Sequence, residues 1–137
     1  MRFSDETFDA YLKRARRDDS ACFVVRRTDD DGIVGSININ NIIRGFFRSG
    51  YLGYYCFAGF DGQGYMTEGL TLVMQHAFKK LKLHRLEANI QPDNCSSIAL
   101  VKRCGFRKEG LSKRYLKIAG RWRDHERWAI TVEDLRP

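Results

Sequence analysis

Between residues 51 and 82 the hydrophobic pattern changes period, and the change happens across a turn rich in glycine. Tyr51 to Phe57 (YLGYYCF) has the aromatic composition of a β-strand, and the stretch Ala58 to Gly64 (AGFDGQG) breaks it. From Thr67 onward Leu70, Val73, Met74, Ala77, Phe78 and Leu81 follow a 3.6-residue repeat, with Lys79, Lys80 and Lys82 at the end where a helix dipole favours cations. Arg85 to Ile90 then reads as a strand again. Strand, turn, helix and strand in that order require a parallel crossover, which an all-helical or purely antiparallel fold does not contain.

The flanking segments fill in the rest. Ser4 ahead of Asp5, Glu6, Phe8, Tyr11, Leu12 and Ala15 predicts a capped helix that closes at Arg16 to Asp19. Residues 21 to 27 and 33 to 39 predict two antiparallel strands joined at Asp31-Gly32, a strong hairpin signal. Pro92-Asp93-Asn94 predicts a turn and Ser96 to Arg103 a short helix, which Gly105 can end in a left-handed conformation. Leu111 to Ile118 and Asp124 to Val132 predict two last strands around Ala119-Gly120. The order α-β-β-β-α-β-α-β-β describes an α/β fold of the α+β type, a mostly antiparallel mixed sheet flanked by helices. At 137 residues the chain is sized for a single domain.

Two segments have residue types suited to chemistry. Glycines between a strand and a helix let several N–H groups approach an anion, and the helix end adds partial positive charge. The spacing differs from other phosphate loops: Thr67 stands where Gly-x-Gly-x-x-Gly needs its third glycine, and Gly-Lys-Ser/Thr is absent. Asn94 and Ser97, taken alone, read as a helix cap and a first-turn residue. The net charge of +7 lies in one stretch, since residues 102 to 127 hold ten Lys/Arg against three Asp/Glu. A local basic excess of that kind fits an acidic or phosphate-bearing partner. Cys22, Cys56, Cys95 and Cys104 form no Cys-x-x-Cys and His76, His84 and His125 no His-x-x-x-His, so no zinc site or disulfide framework is expected. Without a membrane-length apolar run or the apolar core of a signal peptide, the expectation is a soluble cytoplasmic protein that does not bind membranes.

Gly62-x-Gly64 opening an amphipathic helix, a strand ending in Gln91-Pro-Asp-Asn94, then Ser97 and Gly105-Phe106, together resemble the Gcn5-related N-acetyltransferase (GNAT) superfamily. The segments GQGYMTEGL, HRLEANIQPDN, GFRKEG and YLKIAGRWRDHERWAI resemble its RimJ/RimL branch, which acetylates the N-terminal amines of ribosomal proteins. The likeness extends from Tyr11 to the end. It implies acetyl-CoA as co-substrate and no metal. Its pyrophosphate would lie on the backbone of Asp61, Gly62, Gln63, Gly64, Tyr65 and Met66. Tyr55, Cys56 and Phe57, on a strand that splays from its neighbour, would meet the pantetheine amides. Asn94 matches the family asparagine at the cofactor arm, and Ser97 the serine near the thioester sulfur.

Three departures accompany the resemblance. Gly59 stands where the superfamily loop usually begins with Gln or Arg, a change that a backbone-acting loop tolerates. Val101 occupies the position of the tyrosine that many members use as general acid, so that mechanism does not carry over. The chain also starts at what is the family's second helix. On that alignment residues 1–137 are a GNAT domain without the first strand and helix, and a neighbouring subunit of a homodimer is one way to complete the sheet edge.

Acetyl transfer to an amine needs a base, donors for the carbonyl oxygen and stabilisation of the departing thiolate. A backbone N–H near Tyr55 to Phe57 suits the oxyanion and Ser97 the thiolate. Glu87, the carboxylate of its strand and on one face with Asn89, suits the base through a water; the plainer reading pairs it with a Lys or Arg. Asp124, His125 and Glu126 are weaker candidates, with His125 read as structural. The acceptor is expected to be a protein N-terminus, with polyamines, antibiotics and amino acids as alternatives. A basic RNA- or ribosome-binding module without catalysis, built on Tyr115, Trp122 and Trp128, is a further alternative, though sequence-specific nucleic-acid contact is not expected.

Overall fold

A computed structural model describes residues 19–27, 32–57 and 64–135. The helix expected over Ser4 to Asp19 and the turn residues 28–31 lie outside them, apart from Asp19 itself. Six strands form one sheet: β1 (Ala21–Arg26), β2 (Ile33–Ile43), β3 (Ser49–Cys56), β4 (Arg85–Ile90), β5 (Arg107–Ile118) and β6 (Arg121–Thr131). Two helices, α1 (Tyr65–Lys79) and α2 (Cys95–Arg103), and a final 3-10 turn, Val132–Leu135, complete the described elements. The strands lie in the order β1-β2-β3-β4-β6-β5. Every neighbouring pair is antiparallel except β3 and β4, which α1 joins as the parallel crossover that the change of period predicts.

Several boundaries differ from the sequence pattern, each for a local reason. β2 continues four residues past Ile39 because Asn41 adopts a left-handed conformation (φ 51°) within a register shift between Asn40 and Ile43. The shift takes up a polar residue and returns Ile42 to the core, where it is buried. α1 starts at Tyr65, two residues early, because Gly64 (φ 82°) redirects the chain at once and lets Tyr65 and Met66 bury against the sheet. β5 begins at Arg107, directly after Gly105 (φ 93°) ends α2, and β6 at Arg121, directly after the two-residue turn Ala119-Gly120. The charged start of β5 is accommodated because this is an edge strand, and Arg107 pairs with Glu109 at 3.4 Å and with Asp134.

The core lies between the sheet and the apolar stripe of α1. Phe23, Ile37 and Ile39 meet Leu70 and Met74, with Leu86 and Ile130 from the later strands, and all are fully buried. Gly69 lets α1 lie close: a Cβ there would stand 2.8 Å from Val25 Cγ2. Along β4 burial alternates, so Leu86, Ala88 and Ile90 face this core while Arg85, Glu87 and Asn89 face the other side.

What positions the site is how little β3 and β4 share. Their ladder has three pairs, Ser49–Arg85, Gly50–Leu86 and Tyr51–Glu87, after which the strands separate. The expected splay is present. It opens a cleft beside the last residues of β3, flanked by the start of α1 and the first turns of α2.

Candidate active site

The cleft encloses about 330 Å³. Tyr54, Tyr55 and Cys56 of β3 form one wall, and Gly64, Met66 and Thr67 bring the beginning of α1 to it. Asn94, Ser96, Ser97, Leu100 and Arg103 bring the first turns of α2. The two segments that the sequence singles out, about thirty residues apart, thus meet at one cavity. Of the residues assigned by resemblance, Tyr55, Cys56, Gly64, Met66, Asn94 and Ser97 line it. Asp61, Gly62 and Gln63 fall outside the described residues. Tyr65 is buried beneath Arg27, whose guanidinium lies 5.9 Å from its ring centre, and the Phe57 ring packs edge-on against Tyr55 at 5.5 Å.

Each element presents its groups for a reason. Glu68 N–H closes the first intrahelical bond of α1 onto Gly64 O at 3.1 Å, so the peptide N–H groups ahead of it point out of the helix end. Gly64 adds no capping side chain there. Arg103 reaches the same end, its Nη1 donating to Thr67 Oγ1 at 3.4 Å, whereas Lys102, one residue earlier and so rotated around the helix, lies over the Trp128 ring at 5.7 Å. The sequence treats these two cations alike. The fold gives only Arg103 to the cleft.

Asn94 caps α2: its Oδ1 accepts from Ser97 N–H at 3.3 Å and from Ser96 Oγ at 3.3 Å. This cap leaves the Ser97 hydroxyl available, and it meets the Tyr54 hydroxyl at 2.5 Å. The phenol also lies 3.0 Å from the Ser97 carbonyl oxygen. Burial raises the Tyr54 phenol to about 12, opposed by the Ser97 hydrogen bond and assisted by nearby Cys104, so it stays protonated throughout the neutral range. Val101, where relatives have a tyrosine, is fully buried in the core and does not reach the cleft.

On β3 the peptide groups alternate between β2 and the splay. Phe57 N–H donates to Val34 O at 2.8 Å and so faces β2. This removes Phe57 from the candidate oxyanion donors, and strand alternation turns Tyr54 and Cys56 N–H toward the splay instead.

Glu87 does not line the cleft. It lies on the opposite face of β4, where Arg85 Nη2 donates to Oε1 at 2.7 Å and Asn89 Nδ2 to Oε2 at 3.1 Å. Arg85 also donates to Glu109 at 2.7 and 3.0 Å, which holds the Glu109 carboxyl below its ordinary range. The plainer reading of Glu87, pairing with an arginine, therefore describes its contacts. Asp124 accepts from Arg114 N–H at 2.8 Å, and Glu126 from Trp128 Nε1 at 3.0 Å, so both have structural bonds. His125 is buried, its Nδ1 3.1 Å from Arg123 O and its ring 5.7 Å from Tyr115. Trp128 is buried in the core and so cannot stack on bases, while Trp122 is exposed. Among the described residues no cluster of His, Cys, Asp and Glu is arranged to hold a metal ion, and no helix is long and apolar enough to cross a membrane.

Sequence reasoning missed Tyr54, Thr67, Ser96 and Leu100. The phase of β3 held the signal for Tyr54: Gly50 and Leu52 are buried, so alternation places Tyr54 with them and Tyr55 opposite.

A mostly antiparallel mixed sheet with one splayed parallel pair, a glycine-led helix end and a capped serine around one cleft make a mixed α/β fold of the acetyltransferase type. The Acetyltransferase (GNAT) domain family matches residues 2–107, and the chain belongs to that family. It is 37% identical over 124 residues to the probable N-acetyltransferase YjcK of Bacillus subtilis (strain 168), covering 90% of this chain and 68% of that protein. It is 41% identical over 109 residues to the ribosomal protein uS5-alanine N-acetyltransferase of Escherichia coli (strain K12), covering 80% of this chain and 56% of that enzyme. Mycobacterium smegmatis RimJ, solved in complex with CoA-disulfide, superposes with a TM-score of 0.84 at 38% identity, covering 94% of this chain and 61% of RimJ. The chain thus spans between half and two thirds of the E. coli enzyme and of RimJ.

Proposed function

We propose that the chain binds acetyl-CoA in the cleft at the β3–β4 splay and transfers the acetyl group to the N-terminal amine of a protein, a ribosomal protein being the favoured acceptor. The observation that carries this reading is the meeting of Gly64, Asn94, Ser97 and Arg103 around one cavity of about 330 Å³ at the end of a separating parallel pair. The acceptor class rests on the E. coli relative, which acetylates an alanine of ribosomal protein uS5. Such an acceptor would be met in the cytoplasm.

In this reading the α1 end and Arg103 attract the pyrophosphate, and the exposed peptide edge of β3 pairs with pantetheine. The neutral amine attacks the thioester carbon, and Cys56 or Tyr54 N–H faces the carbonyl oxygen as charge develops. Carbon–sulfur cleavage leaves CoA thiolate beside Ser97. The ammonium proton passes to water and, through it, to Glu87 on the opposite side of β4, where Arg85 and Asn89 fix the carboxylate. In this reading the active form is a homodimer.

Calorimetry with acetyl-CoA, followed by CoA-release assays on N-terminal peptides, spermidine, an aminoglycoside and free amino acids, tests the proposal. Saturable binding and preferential turnover of an alanine-leading peptide are expected. Turnover of spermidine alone would reassign the acceptor. Salt-sensitive RNA binding with no acetyl-CoA binding would overturn the enzyme reading. Glu87→Gln is expected to lower kcat about 100-fold or more, the range of a lost general base, with little change in acetyl-CoA affinity. Wild-type kcat in that variant would give the proton to solvent alone.

A further inference from the structure

Ser97 needs a defined proton direction to stabilise a thiolate, and the fold supplies a partner that sets it. We propose that Tyr54 is the positioning residue for Ser97: its phenol donates to Ser97 Oγ and so leaves the serine's own O–H to point into the cleft at the departing sulfur. This rests on the acetyl-CoA reading above and adds a residue to it.

The two hydroxyls are 2.5 Å apart, and both side chains line the cavity. A hydroxyl has one proton and two lone pairs. If Tyr54 donates to the Ser97 carbonyl at 3.0 Å, the serine proton turns back onto the phenol oxygen. When negative charge develops in the cleft, the chain reverses: Ser97 donates to sulfur and Tyr54 donates to Oγ. Charge-assisted bonds are shorter and stronger than neutral ones, so the second arrangement is favoured in the transition state. The phenol, held at about 12, lies well above an alkyl thiol near 8.5, so Tyr54 keeps its proton and acts by hydrogen bonding. The balance is simple. The C–N bond forms, the C–S bond breaks with its electron pair on sulfur, and the thiolate takes a proton from solvent on release. The buried valine at position 101 leaves room for this alternative, a hydroxyl pair from β3 and α2 in place of a single phenol on α2.

Tyr54→Phe retains the ring and removes the hydroxyl. Its kcat is expected to fall about tenfold, with the KM for acetyl-CoA within about twofold of wild type. Ser97→Ala should show the same pattern, and the double variant should be no slower than Ser97→Ala, because the two hydroxyls act as one unit. Independently of turnover, the thiol of bound CoA, followed by thiolate absorbance against pH, should titrate about one unit lower in wild type than in either variant. Ser97→Ala leaves the phenol its carbonyl acceptor, so its titration serves even if Tyr54→Phe folds poorly. Losses that multiply in the double variant, or a thiol titration that shifts in Ser97→Ala and not in Tyr54→Phe, would overturn the assignment of Tyr54 alone; a titration unchanged by both would overturn the role of Ser97 with it. A wild-type chain that binds no CoA would overturn the cleft reading and this one together.

Discussion

Gly64→Val is expected to weaken acetyl-CoA binding by a factor of about 100 or more while leaving a folded protein. The two effects separate because of what surrounds this glycine. Its φ of 82° is strained for any L side chain, at roughly 1–2 kcal/mol, and somewhat more for a β-branched one. Yet a Cβ built there meets no atom of the described residues within 4 Å, its chain neighbours aside, so the described fold offers nothing to clash with. The space it enters is the mouth of the cleft at the α1 end, where a phosphate would make its closest approach to peptide N–H groups. Gly120→Val is the matched control, since Gly120 has φ 79°, equally open surroundings and a position in the remote β5–β6 turn. Calorimetry on both variants decides the matter. Similar drops in thermal midpoint with affinity lost only in Gly64→Val is the expected pair of results. Full affinity in Gly64→Val would show that the cofactor does not lie on the α1 end.

The contrast between these two glycines shows what the sequence can carry. The change of period across residues 57 to 67 announced the crossover, and β4 was legible to the residue because its polar and apolar positions alternate without interruption. The meeting of the glycine turn with Asn94–Ser97 was legible through resemblance, because family motifs encode a spatial relation that spacing alone does not. Three things were not. The reach of β2 past Asn40 was hidden because a bulge breaks alternation just where two asparagines suggest a turn. The different environments of Lys102 and Arg103 follow from helix rotation, which composition cannot register. Tyr54 was passed over for its neighbour because, although the phase of its strand is readable, the splay, a three-dimensional event, determines which side of β3 faces the cleft. The +7 charge also changes meaning. Arg107 pairs with Glu109 and Asp134, and Lys108 with Glu126 at 3.5 Å; Glu109 and Glu126 are already counted in the net charge of residues 102 to 127, so of these three acids only Asp134, outside that stretch, offsets its basic excess further.

Gly69→Val is expected to destabilise the fold, and to weaken cofactor binding without touching the cleft. Gly69 faces the sheet in the second turn of α1, and a Cβ there would approach Val25 Cγ2 to 2.8 Å and Cγ1 to 3.2 Å, with Ile37 Cδ1 at 3.6 Å. Val25 and Ile37 are fully buried and have no free space to enter. Replacing a mid-helix glycine with alanine would gain about 1 kcal/mol of helix propensity, against about 1–3 kcal/mol for overpacking a filled core. For alanine the terms nearly cancel; for valine overpacking wins, and about 2–3 kcal/mol of net destabilisation follows. Relief comes only if α1 lifts from β1 and β2. Since Gly64, Met66 and Thr67 ride on that helix, its displacement changes the cleft by the same motion. Val25→Ala removes the two methyls in the way, so in a denaturant-based double-mutant cycle Val25→Ala with Gly69→Val should show a favourable coupling of about 1 kcal/mol or more. Acetyl-CoA affinity should recover in parallel. Additive stabilities, or affinity that stays low when stability returns, would mean that α1 does not transmit its packing against β1 to the cofactor end.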